Sequence, residues 1–428
     1  MHAENWGGTV RSSLQPVQRT VFAENSEHKT VFCKTGGCRE LFLQRTPNSK
    51  YGLGIPKAPA RSFLTLDLSS RERAFDDLVH VIETATPMSD FGSGSGLSVE
   101  TLPTIVHIAT LPLEPACRQC LHLLLELCFF RANGSEDPPF MSVSVSNIQG
   151  TVTVIADTAA IDRFAAAAPN VTTIDETDWS VVRVGEGALG FEEIGVVERL
   201  TQPLAQAGIP VLYQSTYSTD YILIPRDRLD EALRCLLSAH WQPASRGGAL
   251  PEEAVAHAHA YPLTVLRERC SILRLEKAHR QRHTGALIRL LFMPQASDAA
   301  QAIASLTETD DEISLIAGAS GWWAAYCESE AEGLQHDPQV WVPIRVGDAE
   351  GIPISATGVI AAQSKVLANE ECSILYLSTF HSDFTLVQHD DVERASLAFE
   401  RAGFTLCRAN EASDSSDCCG LEASSKQS

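Results

Sequence analysis

An internal repeat decides the fold of this chain. Residues 179–224 read WSVVRVGEGALGFEEIGVVERLTQPLAQAGIPVLYQSTYSTDYILI, and residues 341–387 read WVPIRVGDAEGIPISATGVIAAQSKVLANEECSILYLSTFHSDFTLV. The offset between matched residues is 162 or 163 throughout, for Arg183-Val184-Gly185 with Arg345-Val346-Gly347, Gly195-Val196 with Gly358-Val359, and Ser215-Thr216 and Asp220 with Ser378-Thr379 and Asp383. A constant offset over this distance indicates two homologous halves.

Each copy predicts the order strand, helix, strand, strand, helix. In the first quoted stretch the strands are expected at 180–184, 210–217 and 221–224, with helices over 192–207 and 228–237. The same order is predicted upstream, with strands at 63–68, 141–145 and 152–155, a helix over 115–130 and a short helix capped by Asp157. A weaker copy follows, with a strand at 272–275, a helix over 283–293 and strands at 303–306 and 313–316.

The predicted fold class is α+β, with four tandem ferredoxin-like βαββαβ modules in two homologous halves, because helix crossovers alternate with hairpins. Side-by-side pairing would cover the open sheet edges and leave a seam between modules that suits a small ligand. The expected divisions are a disordered segment 1–60, module 1 at 61–170, module 2 at 177–242, a linker 243–262, module 3 at 263–335, module 4 at 338–410 and a disordered tail 411–428.

The composition is that of a globular protein, with 44% hydrophobic and 20% charged residues. A net charge of −21 repels nucleic acid and anionic membrane surfaces, so neither is expected as a partner. No signal peptide or membrane span is expected, and twelve scattered cysteines indicate a reducing compartment, the cytosol or nucleus. An organelle transit peptide in residues 1–60 stays open as an alternative to a disordered tail.

The loop Gly185-Glu-Gly187-Ala-Leu-Gly190 matches a dinucleotide-binding pattern. The following strand turns straight into another strand, whereas a dinucleotide-binding unit would continue through a crossover helix. The alternatives are a tight turn that needs glycine, or a loop whose backbone approaches a ligand. Near it, Glu192, Glu193 and Asp220 place acidic groups at the predicted seam, which favours a cationic ligand.

Other motifs carry little chemistry. Cys117-Arg-Gln-Cys120 and Cys33 with Cys38 indicate zinc only weakly, since no second pair has matching spacing. No nucleophile elbow, triad spacing, phosphate-binding loop or zinc-protease motif is present in the sequence. We therefore expect no catalytic residue, no metal and no cofactor.

Several stretches resemble the CASTOR cytosolic arginine sensors, which are tandem ACT-domain proteins of the TOR kinase pathway. They are LGFEEIGVV (189–197), STYSTDYILIP (215–225), SLTET (305–309) and ECSILYLSTFHSDFTLV (371–387). Segments that resemble the family's first half, such as LIRLLFMP (287–294), fall here in the second half, so the two halves are swapped in order. The resemblance covers roughly residues 61–410.

The resemblance implies that arginine lies between modules 2 and 4. Three walls would hold the arginine. Gly190, Glu193 and Gly195 would form a loop wall, and Thr216, Tyr217 and Asp220 a hairpin wall. Ser373 and Ile374 would come from the opposite half. A partner surface in the family corresponds to Phe380, His381 and Asp383, of which only the aspartate is kept. The implied partner is a GATOR-type complex, and a homodimer through faces away from the seam is also implied.

The leading hypothesis is a cytosolic sensor of arginine, not an enzyme, that controls a protein partner in TORC1 signalling by allosteric regulation. The second hypothesis is an ACT-domain regulatory protein of amino-acid metabolism that binds another amino acid. A remote alternative, from a different class, is an oxidoreductase that binds a dinucleotide at the loop 185–190.

Overall fold

The structure is a computed structural model, and it describes residues 28–31, 41–46, 49–54, 99–114, 116–130, 140–184, 194–240, 249–293, 302–348 and 350–409. The chain divides into two units, Met1–Gly92 and Ser93–Ser428. In the first unit, strands β1 (His28–Val31), β2 (Leu41–Thr46) and β3 (Ser49–Gly54) form an antiparallel sheet. These strands lie within the segment predicted to be disordered, and the rest of that segment and the predicted strand 63–68 lie outside the described residues.

The part of the chain from Ser93 onward consists of two halves. The first half contains two βαββα units in chain order. The elements of the first are β4 (Val99–Pro112), α1 (Ala116–Phe129), β5 (Phe140–Ser146), β6 (Thr151–Asp157), α2 (Thr158–Ala167) and the short β7 (Thr173–Ile174). Those of the second are β8 (Trp179–Val184), α3 (Val196–Gln206), β9 (Leu212–Ser215), β10 (Asp220–Pro225) and α4 (Leu229–His240). Asp157 caps α2 as predicted, since its carboxylate accepts from Ala160 N at 2.9 Å.

The second half repeats this order. Helix α5 (Glu252–Ala260) and strand β11 (Leu263–Val265) lead into β12 (Cys270–Leu275), α6 (Arg280–Phe292), β13 (Ile303–Thr309), β14 (Ile313–Gly318), α7 (Gly321–Ser329) and β15 (Leu334–His336). The last unit has β16 (Trp341–Val346), α8 (Val359–Asn369), β17 (Ile374–Ser378), β18 (Asp383–Gln388), α9 (Val392–Arg401) and β19 (Leu406–Arg408). None of the helices in the described part of the chain is long and apolar enough to span a bilayer.

Twelve strands of the second unit form a closed ring. Their order is β12-β14-β13-β5-β6-β4-β8-β10-β9-β17-β18-β16, and a Cys270–Trp341 pairing returns β16 to β12. All pairings within the ring are antiparallel. The open sheet edges expected of single βαββα units are therefore covered by neighbouring units.

The two faces of this sheet pack differently because strand side chains alternate. On one face Val182, Val184 and Ile222 pack under the helices. On the other face two apolar clusters contain no helix residue, and each has one fully buried tryptophan, Trp179 or Trp341. Each indole N–H donates to an aspartate four residues earlier, Trp179 to Asp175 at 2.8 Å and Trp341 to Asp337 at 2.7 Å. The two halves thus repeat in detail, as the sequence predicts.

Three of the differences from prediction concern β4, α3 and α5. The first strand of the ring's first unit is β4, which the sequence analysis missed. Helix α3 begins at Val196 and not at Glu192, because Gly195 adopts a left-handed conformation (φ 78°) that ends the preceding turn. Helix α5 occupies part of the predicted linker, where Ala254 and Ala258 share one buried face.

Candidate ligand cleft

The two halves meet at two seams, β5 with β13 and β9 with β17, and the second of these is called the seam below. Leu377 pairs with Gln214 there, and the Gln214 side-chain amide donates to Ser378 O at 2.5 Å. Two further bonds cross in both directions: Tyr213 N donates to Ser378 Oγ at 3.1 Å, and Tyr376 N donates to Ser215 Oγ at 3.0 Å. These buried hydrogen bonds hold the two hairpins in a fixed register, while the side-chain oxygen of Gln214 has no hydrogen-bond partner.

A cleft of about 500 Å³, open to solvent, lies on this seam and is called the ligand cleft below. Its walls come from the N-terminus of α3, the β9–β10 hairpin, and the helix and strand of the opposite half. They are residues 195–198, Thr216, Thr219 and Asp220 from the first half, and Ser364, Ala368 and residues 372–375 from the second. The structure therefore brings together Gly195, Thr216, Asp220, Ser373 and Ile374, which the sequence analysis expected at one site.

Asp220 is the acidic group of the hairpin wall. It is partly buried, and its carboxylate accepts from the Tyr213 hydroxyl at 2.9 Å and from the Ser215 hydroxyl. Burial raises the pKa of Asp220 to about 6, although both hydrogen bonds favour the charged form. No cation among the described residues pairs with it, so a cationic ligand group would supply its missing counter-charge.

Thr216 lines the cleft mainly as a structural residue. Its hydroxyl donates to Thr219 O at 2.5 Å and accepts from Thr219 N at 3.2 Å. Both bonds close the hairpin turn that carries Asp220. Thr216 thus fixes the position of the carboxylate, and the ligand contact that the resemblance implies for it stays a prediction.

Glu198 is the residue that sequence analysis missed. It stands in the first turn of α3, is half-buried, and lines the cleft beside Gly195. Burial raises the pKa of Glu198, and the nearby Lys365 and Arg199 oppose that shift. The repeat contained a signal that could have found Glu198. The matched position in the second half is Ala361, so only the first half has a charged residue there, and this marks a difference between the halves.

The wall from the opposite half follows the C-terminus of α8. Glu371 takes a left-handed conformation (φ 56°), where the first half has Gly208 (φ 61°), and the chain then turns into Ser373 and Ile374. Ser373 is buried and Ile374 is partly buried in the cleft wall. Glu370 pairs with Arg401 at 3.0 Å and is not among the lining residues.

Other predicted site residues lie elsewhere. Gly190 and Glu193 fall outside the described residues. Tyr217 does not line the cleft: its ring packs against the apolar cluster around Trp341 on the helix-free face, and its backbone N–H donates to Ser314 Oγ at 2.9 Å. Tyr217 lies in the turn between β9 and β10, and the turn places its side chain on the helix-free face of the sheet.

The residues of the predicted partner surface differ in exposure, since Phe380 and His381 are partly exposed and Asp383 is buried. Phe380 packs on the apolar cluster that contains Trp179, and its backbone N–H donates to Thr153 Oγ1 at 3.1 Å. Burial lowers the pKa of His381, whose carbonyl accepts from Ile352 N at 2.7 Å. Asp383 is 7% exposed and lines a second cleft described below.

Antiparallel pairing of β8 with β10 and of β10 with β9 does not fit a dinucleotide-binding unit, which needs parallel strands joined by a crossover helix. The loop 185–190 itself lies outside the described residues. Within the described part of the chain, no group of three His, Cys, Asp or Glu side chains is placed to hold a metal ion.

The family comparison agrees with this geometry. A model of the ACT domain matches residues 175–238 and 338–401, the two segments that form the seam. Each of these two segments therefore matches the ACT domain. The chain is also similar to the cytosolic arginine sensors for mTORC1, which confirms the resemblance drawn from its sequence.

The curated relatives include subunit 1 of the cytosolic arginine sensor for mTORC1 from Bos taurus, 32% identical over 103 residues, or 24% of this chain and 30% of that protein. The Homo sapiens protein is 30% identical over 106 residues, or 24% of this chain and 32% of that protein. The matches thus span about a third of the length of these relatives.

Among solved structures, aspartate kinase from Synechocystis aligns at 13% identity with a TM-score of 0.29, over 75% of this chain and 59% of that one. Aspartate kinase from Clostridium acetobutylicum aligns at 13% identity with a TM-score of 0.25, over 37% of each chain.

Proposed function

We propose that this protein is an amino-acid sensor, not an enzyme, which binds arginine in the ligand cleft between the two halves. The observation that carries the proposal is the pair of carboxylates in one cleft, Glu198 and Asp220, on a seam to which both halves contribute. Burial disfavours the charged form of both carboxylates, and a ligand with two cationic groups would stabilise that form at each of them.

The chemistry of arginine matches the walls. Asp220 would accept the α-ammonium group, and Glu198 would take the guanidinium, which can form two parallel hydrogen bonds to a carboxylate. Ser373 and the free N–H groups at the start of α3 would receive the ligand carboxylate. Ile374 and Val197 offer apolar surface for the aliphatic stem.

We further propose that all four βαββα units are ACT modules. The strand orders β7-β4-β6-β5 and β15-β12-β14-β13 repeat the same arrangement and support this proposal, whereas in the last unit β11 lies between β16 and β19. Ligand binding between the second and fourth units would then favour one arrangement of the two halves. Such a change requires different affinities of the ligand for the two arrangements.

The relatives named as cytosolic sensors for mTORC1 support the rest of the proposal. The chain would act in the cytosol, and its partner in TOR-type signalling would be a GATOR-type complex. Homodimerisation would use faces away from the seam. A regulator of amino-acid metabolism with a different amino-acid ligand is the second candidate, favoured only if the cleft prefers an uncharged or acidic side chain.

Calorimetric titration with arginine and citrulline tests the roles of the two carboxylates. Citrulline keeps the α-ammonium and carboxylate and has no side-chain charge. We expect Glu198→Gln to weaken arginine binding by about tenfold or more and to leave citrulline binding unchanged. The exposed Glu328→Gln is the matched control. Equal losses for both ligands would overturn the role of Glu198, and no arginine binding to the wild type would overturn the proposed function.

A further inference from the structure

A second cleft, of about 460 Å³, lies on the same seam and is called the sister cleft below. It is built from the positions matched to the ligand cleft by the repeat. Gly358 and Asp383 stand where the ligand cleft has Gly195 and Asp220, and Val211 stands where it has Ile374. The two halves exchange roles between the clefts. In the sister cleft, α8 and the β17–β18 hairpin form the walls that α3 and the β9–β10 hairpin form in the ligand cleft, and α3 and β9 form the opposite wall.

The two clefts share the part that would hold an amino-acid backbone. Asp383 accepts from the Tyr376 hydroxyl at 2.9 Å and from Ser378, as Asp220 does from Tyr213 and Ser215. No cation among the described residues pairs with Asp383, which is more than nine-tenths buried. Gly358 precedes the first residue of α8 in the same left-handed conformation (φ 80°) that Gly195 has before α3. Unlike Gly195, it also packs against Ala254 of α5.

The clefts differ in the part that would hold a ligand side chain. Ala361 replaces Glu198, so the second carboxylate is missing from the sister cleft. Ile209 replaces Cys372, and Pro210 stands at the position of Ser373. A further wall is apolar, formed by Ile352, Pro353 and Ile354. A cationic side chain in this cleft would lose its hydration without gaining a counter-charge.

We propose that the sister cleft is a second ligand site, which takes an uncharged amino acid with an apolar side chain. Asp383 would accept the α-ammonium group, and the first N–H groups of α8 would receive the carboxylate. The apolar walls would bury the side chain. The protein would thus bind two amino acids of different chemical class on one seam.

Titration of the full chain with leucine, valine, methionine and phenylalanine, in the presence of saturating arginine, tests the proposal. We expect at least one of the four to bind with a stoichiometry of one. Asp383→Asn should weaken that binding by about tenfold or more, because a charge-assisted bond to the ammonium is lost. Asp220→Asn is the matched control, which should weaken arginine binding and leave the apolar amino acid bound.

Hydrogen exchange of the wild-type protein provides a second test, which does not depend on whether a variant folds. The apolar amino acid should protect amides at 358–361, whereas arginine should protect those at 195–198. The proposal is overturned if none of the four binds, if arginine competes with the one that does, or if Asp383→Asn leaves its affinity unchanged. Failure of arginine to bind, with an apolar amino acid still bound at 358–361, would overturn only the proposed arginine sensing.

Discussion

The rings of Tyr213 and Tyr376 meet edge to face across the seam, with 6.2 Å between centroids and 77° between planes. Each hydroxyl donates to the aspartate of its own half, and each backbone N–H donates to the serine of the other half. Each serine in turn binds its own aspartate. Asp220 and Asp383 are therefore linked by a closed circuit of hydrogen bonds through the seam.

Removal of one hydroxyl from this circuit should act on one cleft more than the other. Tyr213→Phe deletes a donor to Asp220, so the charged carboxylate loses support and its pKa rises further. We expect arginine affinity at pH 7 to fall about threefold to tenfold, measured by calorimetry. Tyr376→Phe, the matched variant of the other half, should change arginine affinity less. Equal effects of the two variants would contradict the assignment of arginine to the ligand cleft.

Asp220→Asn should stabilise the free protein while it removes binding. The folded-state pKa of Asp220, about 6, lies above its ordinary value of 3.8. The folded state then binds more protons between these values, so stability from this group falls as pH rises from about 4 through 6. Asparagine carries no charge, so Asp220→Asn removes this loss of stability at high pH. The side-chain oxygen of asparagine can still accept a hydrogen bond from the Tyr213 hydroxyl. Denaturant unfolding should give a gain of about 1–2 kcal/mol at pH 8 and a smaller gain at pH 5.

Stabilisation that is larger at pH 5 than at pH 8 would show that the buried carboxylate is not the cause. Asp383→Asn is the matched variant, because burial raises the pKa of Asp383 to about 6 as well. It should show the same pH trend in stability.

Arginine affinity should depend on pH through the same carboxylate. Arginine binds the charged form of Asp220, and that form becomes scarce below about pH 6. Protonation of one group with this pKa weakens binding about tenfold between pH 7 and pH 5. Glu198 changes in the same direction, since its pKa is also raised. Calorimetry in two buffers should also detect proton release on binding near pH 6, and an affinity that is flat from pH 5 to pH 8 would contradict the account.

The left-handed Glu371 offers a test of backbone strain beside the cleft. A side chain in that conformation costs roughly 1 kcal/mol, and glycine does not carry this cost. Glu371→Gly should therefore raise the free energy of unfolding by about 1 kcal/mol, measured with urea. The reciprocal variant Gly208→Glu should lower it by a similar amount. If both variants leave stability unchanged, the conformation assigned to Glu371 is wrong.

The sequence predicts the paired halves well because the repeat preserves their turns and caps. Gly195 and Gly358 both start helices in the left-handed conformation, and Asp220 and Asp383 both occupy their clefts. Each of these positions depends on local chemistry that a repeat keeps: a glycine for a positive φ, and a carboxylate next to a hairpin turn.

Predictions from the sequence are less accurate where the direction of a side chain, or the first residue of an element, depends on packing against residues far away in the chain. A helix start placed at Glu192 drew attention away from Glu198, whose position follows from Gly195. Tyr217 was expected in the cleft from the family resemblance, yet the turn between β9 and β10 places its side chain on the helix-free face of the sheet. Strand β4 was missed because its 14 residues gain their partners, β6 and β8, only in the folded ring.

The central claim, that the ligand cleft binds arginine through Asp220, is tested most directly by calorimetric titration of arginine into the wild type and Asp220→Asn at pH 7.5. The account predicts one site on the wild type with a dissociation constant of roughly micromolar order, which corresponds to about −8 kcal/mol, and no measurable binding to a folded Asp220→Asn. Equal affinity of the two proteins, or no heat of binding to the wild type, would contradict it.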